Sequence, residues 1–569
     1  MSEQLNNGQG LGVDQSIFAS AGQPGVDIIG DNARLDINRN GSITAADEGN
    51  SAVLSSGNGV DVRNDGQISG ALNGISSSGN DFSLRNGRRT TISSDSRAVD
   101  ITDGDNINVN NSGNILGTGN QRNGTLYVDG TVDNFRLDNE RGGSIDAGEG
   151  NSGDGFSIQI GAEGDLINEN INITNNGTIA GRGQAEFAPG EGRLTGNGSS
   201  GVRYFSGAEG ETTVTGTLNN RGTISSEVNV GFLGGVVVED NVSYQGQIRN
   251  SGSITGPRNG LYIGNASHEL EIFNDNRGSI TSGSRVVNLD GDNVTFNNNG
   301  SVLGTGDQRN GTLYVDGTAD NIAINNGRRG IIDAGEGNNG SGVSIQVGDG
   351  DDLETSVNLV NEGTIHGRGS ENVPAGVRLF VGSSVGASTF TGDISNGRRA
   401  VIASEQGAGI LIEDNVTFNG QINNQGTIRG GNGLAIDASG AFGDISVVND
   451  RRGRLEGAVV LGEGNDTLIN SSRDGLNITG GGGNDVLTGG SGTNIYSFDI
   501  GSGQDTITDF QSGQDVLNLG SYFGGDVSQA LGATVQNGND ALIDLGDNNS
   551  ITLANVDAAS LGAESFSFG

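Results

Sequence analysis

Apolar residues return along this chain at two nested periods. Within short runs such as GTLYVDG (Gly124–Gly130) and GVSIQVG (Gly342–Gly348) they alternate with polar residues, the mark of strands with one buried face. Over a longer span a phrase N-x-G-x-I recurs. Its closing apolar residue falls at Ile43, Ile68, Ile92, Ile115, Ile145, Ile179, Ile224, Ile254, Ile280, Val302, Ile332, Ile365, Ile402, Ile428 and Leu455, mostly 22 to 34 residues apart. A unit of that length has no core of its own and buries its apolar face only against its neighbours, so the pattern predicts stacked coils of three short strands and their turns. The fold class expected is all-β: a long right-handed parallel β-helix of about 15 coils. Asn and Gly are expected at corners needing positive φ, and Asn stacked at one corner is expected to form a hydrogen-bonded ladder.

A longer order lies above the coils. Leu116–Asn134 (LGTGNQRNGTLYVDGTVDN) matches Leu303–Asn321 (LGTGDQRNGTLYVDGTADN) at an offset of 187, and GVRYFSG from Gly201 matches GVRLFVG from Gly376 at 175. Six coils therefore form a super-repeat. Tyr127 and Tyr314 occupy equivalent places in it and are read as core-lining. The shorter second offset reflects extra residues over 182–200, expected as a surface loop.

Composition refines this picture. The formal charge is −39, all 30 basic residues are Arg, and 105 residues are Gly. Such a surface repels nucleic acid and anionic lipid, whose phosphates need clustered cations, and favours multivalent cations as partners. Without Cys there is no disulfide framework or thiol chemistry. No segment is long and apolar enough for a membrane-spanning helix, and the opening residues carry no cleavable leader pattern.

The sharpest chemistry lies near the end. GGGGNDVLT (Gly480–Thr488) fits the nonapeptide G-G-x-G-x-D-x-U-x in full. LGEGNDTLI (Leu461–Ile469) misses the first Gly, GGSGTNIYS (Gly489–Ser497) has Asn494 in place of Asp, and GSGQDTI (Gly501–Ile507) is a partial copy. Asp466, Asp485 and Asp505 are 19 and 20 residues apart, about two nonapeptides, which aligns their carboxylates along one edge. Carboxylates beside Gly carbonyls make a hard oxygen cage suited to calcium and poorly suited to zinc.

These repeats resemble the RTX, or haemolysin-type, calcium-binding repeats. The resemblance implies calcium held by Asp466 with Asp485 and by Asp485 with Asp505, helped by carbonyls near Gly462, Gly464, Gly481 and Gly483, with Asn494 on the intervening half-coil. The terminal ITLANVDAASLGAESFSFG (Ile551–Gly569) is similar to uncleaved type I secretion signals, which implies export to the extracellular space or cell surface. The N-x-G-x-I coils resemble those of autotransporter and haemagglutinin-like β-helices. The domain reading is a cap or assembly segment over 1–22, the β-helix over 23–457, a calcium-binding β-roll over 458–510, and a secretion module over 511–569.

Other sites compete. Asp36–Asp47 (DINRNGSITAAD) has the spacing of an EF-hand loop, yet it aligns with solenoid coils from Gly235 and Gly409. Acidic turns at Asp103–Asp105, Asp290–Asp292 and Asp349–Asp352 read as solvated corners, with calcium between coils as the alternative. The Arg-Arg pairs from Arg88, Arg328, Arg398 and Arg451 read as turn solvation, or as a carbohydrate or self-association stripe. Only His268 and His366 are available for acid–base chemistry, and they sit in unrelated contexts. The functional expectation is a non-enzymatic, secreted, calcium-binding structural or adhesive protein that self-associates into a surface layer, matrix or filament, with cell-surface polysaccharide as a further partner. The alternatives are a polysaccharide lyase or epimerase, and a carbohydrate-binding adhesin that does not assemble.

Overall fold

A computed structural model describes residues 2–119, 124–129, 132–160, 169–183, 186–187, 194–195, 199–207, 212–227, 233–306, 311–349, 353–371, 374–382, 386–520 and 522–569. The chain forms two compact units, Met1–Ser301 and Val302–Gly569. The 182–200 insertion and the Asp349–Asp352 turn lie largely outside the described residues.

In the first unit each coil contributes three short strands, and each strand pairs in parallel with its counterpart one coil on. Val53–Ser55, Asp61–Asn64 and Gln67–Gly70 stack in this way on Asn73–Ser77, Ser83–Asn86 and Thr91–Ser94. The residues closing N-x-G-x-I form one column: Ile43 pairs with Ile68, Ile68 with Ile92, Ile92 with Ile115, and so on through Ile145, Ile179, Ile224 and Ile254 to Ile280. All are buried. Because the side-chain period in a strand is two, holding this column in register puts every second residue inside and every other one in water.

From Asn64 on, the Asn that opens each phrase is also buried, and its amide joins the coils. Nδ2 of Asn64 donates to Oδ1 of Asn86 at 2.8 Å, and the same bond runs from Asn86 to Asn111, Asn139, Asn175, Asn220, Asn250, Asn274 and Asn298 at 2.7–2.9 Å. The predicted ladder is present, but its backbone is not left-handed. Positive φ occurs instead at the opposite end of these strands, as at Asp81 (57°), Asn106 (58°) and Asn134 (56°). The Gly of the phrase is required by coil-on-coil approach: a Cβ on Gly222 would stand 2.0 Å from the Gly177 carbonyl oxygen.

One sequence expectation is corrected here and another is upheld. Residues 1–22 are not a separate cap: Glu3–Leu5, Gly10–Val13 and Ser16–Phe18 form a first coil paired in parallel with Val26–Ile28, Arg34–Ile37 and Ser42–Ala45. The reading of Asp36–Asp47 as solenoid coil, over the EF-hand alternative, is upheld. Asp36 and Ser42 stand in strands, and the Asp36 carboxylate is paired with Arg34 at 2.7 Å.

The second unit repeats the logic. Ile332, Ile365, Ile402, Ile428 and Leu455 form its apolar column, and an Asn ladder runs from Asn326 through Asn361, Asn396, Asn424 and Asn449 to Asn470. The super-repeat is legible in side chains as well as in sequence. Tyr127 is buried with its hydroxyl on Gln159 Oε1 at 2.5 Å, and Tyr314 does the same with Gln346 at 2.6 Å. Arg182 grips Asp146 and Glu227 of neighbouring coils, as Arg368 grips Asp333 and Glu405.

After Arg454–Val460 the coil narrows to two strands. Val459 pairs with Ile478, Ile478 with Tyr496, and Tyr496 with Leu517, steps of 19, 18 and 21 residues, against 26 for Ile402 to Ile428. The narrowing begins inside a continuous strand, so the β-roll grows out of the β-helix without a break. At its far side Asn549–Leu553 pairs in parallel with Gln504–Ile507, and Phe566–Ser567 with Val516–Asn518. Antiparallel strands Thr534–Asn537 and Asp540–Gly546, with the short helix Val527–Gly532, complete a cover over the roll's last hydrogen-bonding edge. Among the described residues no helix is long and apolar enough to cross a membrane.

Candidate metal centre

Each nonapeptide folds as a Gly-rich turn followed by a short strand, Val486–Thr488 for the full match, whose Leu487 points into the core. The turn brings Asp466, Asp485 and Asp505 onto one edge, as the spacing predicted, and all three are buried. Their carboxylates link the coils: the Asp466 N–H donates to Asp485 Oδ1 at 2.8 Å, and the Asp485 N–H to Asp505 Oδ1 at 3.0 Å. Asp466 spends both oxygens on backbone, accepting from Ile445 N–H at 2.7 Å and Gly462 N–H at 3.2 Å.

The other two are not satisfied. Oδ2 of Asp485 and Oδ2 of Asp505 are buried without a well-formed hydrogen bond, and the hydroxyl of Ser502 lies close enough to Asp505 to favour its charged form without completing one. No Arg or His forms an ion pair with any of the three among the described residues. Burial pushes the Asp485 carboxyl up to about 8, reinforced by the charges of Asp505, Asp466 and Asp444. Burial likewise raises Asp466 and Asp505 to about 6. A column of like carboxylates out of water, short of donors, is a local electrostatic debt.

The residues present fit a hard divalent cation. Oδ2 of Asp485 occupies space that only Gly leaves open, since a Cβ on Gly480 would lie 2.2 Å from it. Gly481 and Gly483, at φ 95° and 120°, stack directly over the carbonyl oxygens of Gly462 and Gly464, at 2.0 and 1.9 Å from where their Cβ atoms would be. Every donor in the cradle is oxygen, as calcium prefers. Among the described residues no three Asp, Glu or His side chains converge on one point. An ion here would therefore take one or two carboxylates, with carbonyls and water completing its shell.

Asn494 stands on the other edge of the roll, apart from the Asp column. Its Oδ1 accepts from Leu476 N–H at 3.1 Å, while Nδ2 donates to Gly492 O at 3.1 Å, to Asp515 Oδ1 at 3.2 Å and, weakly, to Gly490 O at 3.4 Å. The amide thus supplies positive hydrogens to the kind of oxygens that a cation would gather, and we place Asn494 outside the metal set.

Sequence reasoning missed Asp515 and Asp509. Asp515 accepts from the N–H groups of Asn494 and Gln511, and Asp509 caps the N–H groups of Gly489 and Gly490. The repeated SGQD at Ser502–Asp505 and Ser512–Asp515 was the available signal for Asp515. An exposed column of Asp444, Asn465 and Asn484 runs beside the Asp column and accepts backbone N–H groups in the opposite direction. His268 and His366 lie in different units, each near one carboxylate, Asp292 at 3.8 Å and Asp333 at 3.7 Å. No family model and no curated protein matches this chain.

Proposed function

We propose that this chain is a secreted, calcium-stabilised β-solenoid that serves as an extracellular structural or adhesive protein. The observation that carries the reading is the buried pair of unpaired carboxylate oxygens on Asp485 and Asp505, beside a Gly-only cradle of carbonyls. Calcium bound there supplies the positive charge that the column lacks. The export route rests on the resemblance of Ile551–Gly569 to type I signals. In a low-calcium cytosol the uncompensated carboxylates disfavour the roll, and external calcium drives it to fold, since metal affinity gained only in the folded state adds to folding free energy. A body built from repeated ladders with polar corners suits a scaffold.

The test is thermal unfolding of the full chain, followed by circular dichroism, with calcium, with magnesium and with chelator. A rise in Tm specific to calcium, lost in the double variant Asp485→Ala/Asp505→Ala, is expected. An unchanged Tm in calcium would overturn the reading.

A further inference from the structure

The chain uses its Arg residues in two ways. In the first unit many of those on strands are paired within the chain, Arg34 with Asp36, Arg63 with Asp61, Arg97 with Asp100 and Arg136 with Asp138, while Arg249 stacks over the Phe273 ring. Those at the corner after the Asn ladder are different. Arg39, Arg88, Arg141, Arg221 and Arg277 are exposed, and none joins an ion pair among the described residues. In a chain of charge −39, a row of unpaired guanidiniums is a feature to be explained.

The ladder fixes their spacing. Arg39, Arg88, Arg141, Arg221 and Arg277 follow ladder positions 38, 86, 139, 220 and 274, while the intervening coils place Asp65, Ser112, Asn176 and Ser251 at the same corner. The Arg therefore recur every second coil, about 10 Å apart along the stack. The second unit carries the same alternation in sequence, Arg328, Arg398 and Arg451 following Asn326, Asn396 and Asn449 with Glu362 and Gln425 between, but there Arg328 pairs with Glu362 at 3.4 Å.

At the opposite end of the same strands the first unit bears the complementary charge. Asp31, Asp81, Asp103 and Asp105 are exposed on the turns that precede these strands, Asp133 is half-exposed there, and none is in an ion pair among the described residues. This corner is also a hydrogen-bonded column, in which Asn58 N–H donates to Asp31, Asn80 N–H to Asn58, and Asp105 N–H to Asn80.

We propose that the arginine corner is a docking edge for the acidic corner of a second copy of this chain, giving side-by-side sheets of solenoids. It rests on the structural reading above and names the contact that such a role needs. Two edges built on the same strand spacing share one axial period, so three consecutive Arg of one copy, two coils apart, face the carboxylates of Asp31, Asp81 and Asp133, also two coils apart, on the next. The two corners differ, so the contact is heterologous, and near-parallel side-by-side copies repeat it as an open sheet. Single exposed ion pairs are weak, roughly 0.2–1 kcal/mol each, so the edge works as a row. At about 0.15 M salt, charges farther apart than ~8 Å are screened, which removes long-range repulsion between acidic bodies while leaving contact pairs in place.

The experiment is sedimentation velocity and negative-stain microscopy of the full calcium-loaded chain at that ionic strength. Wild type is expected to form lateral sheets that dissolve in about 1 M salt, where the screening length falls to ~3 Å. The variant Arg88→Glu/Arg141→Glu/Arg221→Glu/Arg277→Glu, and separately Asp81→Arg/Asp103→Arg/Asp105→Arg/Asp133→Arg, each sediment as monomers with at least a tenfold loss of assembled mass. Mixing the two variants restores assembly, and that recovery also shows that both are folded. Monomeric wild type, variants that assemble as wild type, or a mixture that stays dispersed would each overturn the proposal. So would loss of sedimentation with soluble polyuronate as the only effect of the Arg variant, which would assign the corner to anionic polysaccharide instead. The calcium shift in Tm is read on the same samples. Assembly without it sinks the calcium reading alone, and the shift without assembly sinks this one alone.

Discussion

Two columns of stacked polar side chains run through this protein, and they solve the same problem with opposite chemistry. In the β-helix the stacked residue is Asn, whose amide donates upward and accepts from below, so each member satisfies its neighbours and the ladder closes on itself. In the β-roll the stacked residue is Asp, whose carboxylate only accepts. It takes backbone N–H groups from the preceding coil and still keeps a bare, buried oxygen at Asp485 and at Asp505. A neutral ladder is complete in itself, whereas a charged one is stable only with something added. The point is sharpened at Asn494, where a single amide in the roll restores the self-contained arrangement.

The comparison can be broken from either side. The largest effect is expected from Asn175→Asp, which puts a carboxylate into the amide ladder beside Asn139 and Asn220. An unpaired buried charge costs about 3–5 kcal/mol, read as lost hydrogen-exchange protection in the coils around it. Protection equal to wild type would mean that the ladder tolerates charge and the contrast is empty. Next comes calcium itself: at about 100 times its Kd it adds ~2.7 kcal/mol to the roll, measured as a Tm that climbs with calcium concentration, and it leaves exchange in the Asn-ladder coils unchanged.

pH gives a third lever. Asp466, Asp485 and Asp505 have folded-state values near 6, 8 and 6, against 3.8 as the ordinary value. The folded roll therefore holds protons more tightly than the unfolded chain does. Without calcium its stability is fully present below about pH 4 and is lost as pH rises through 6 to 8, and saturating calcium flattens that slope. A calcium-free roll that gains stability between pH 5 and 8 would contradict the burial of these carboxyls. The smallest effect is expected from Asp485→Asn. It copies the chemistry of Asn494 and raises calcium-free stability by about 1 kcal/mol, with Asp466 and Asp505 still charged, while the response to calcium shrinks.

Much of this was legible beforehand because strand stacking converts sequence period directly into position. The Ile column and the Asn and Asp columns all follow from counting residues, and Tyr127 and Tyr314 fell where the super-repeat put them. What counting does not reveal is the direction in which a side chain spends its hydrogen bonds. Asp466 and Asp485 fit one motif, yet the first has both oxygens on backbone N–H groups and the second keeps one bare. Asn was expected at positive φ and is found there at corners such as Asn106 and Asn134, but the buried ladder Asn bond their neighbours from a backbone that is not left-handed. Residues 1–22 looked like a cap because they lack the N-x-G-x-I phrase, although three short alternating runs were enough to pair as a coil.

The apolar column has one more consequence. A stack in which Ile meets Ile and Asn meets Asn in coil after coil would be nearly as content if the chain slipped by one whole turn, and such near-equal alternatives roughen a folding landscape. The turns prevent this by being unequal. Ile92 and Ile115 are 23 residues apart while Ile179 and Ile224 are 45 apart, so a slipped chain would have to swallow or stretch the difference at every mismatched corner. Irregular loop length, which looks like noise in the repeat, gives each coil its own address.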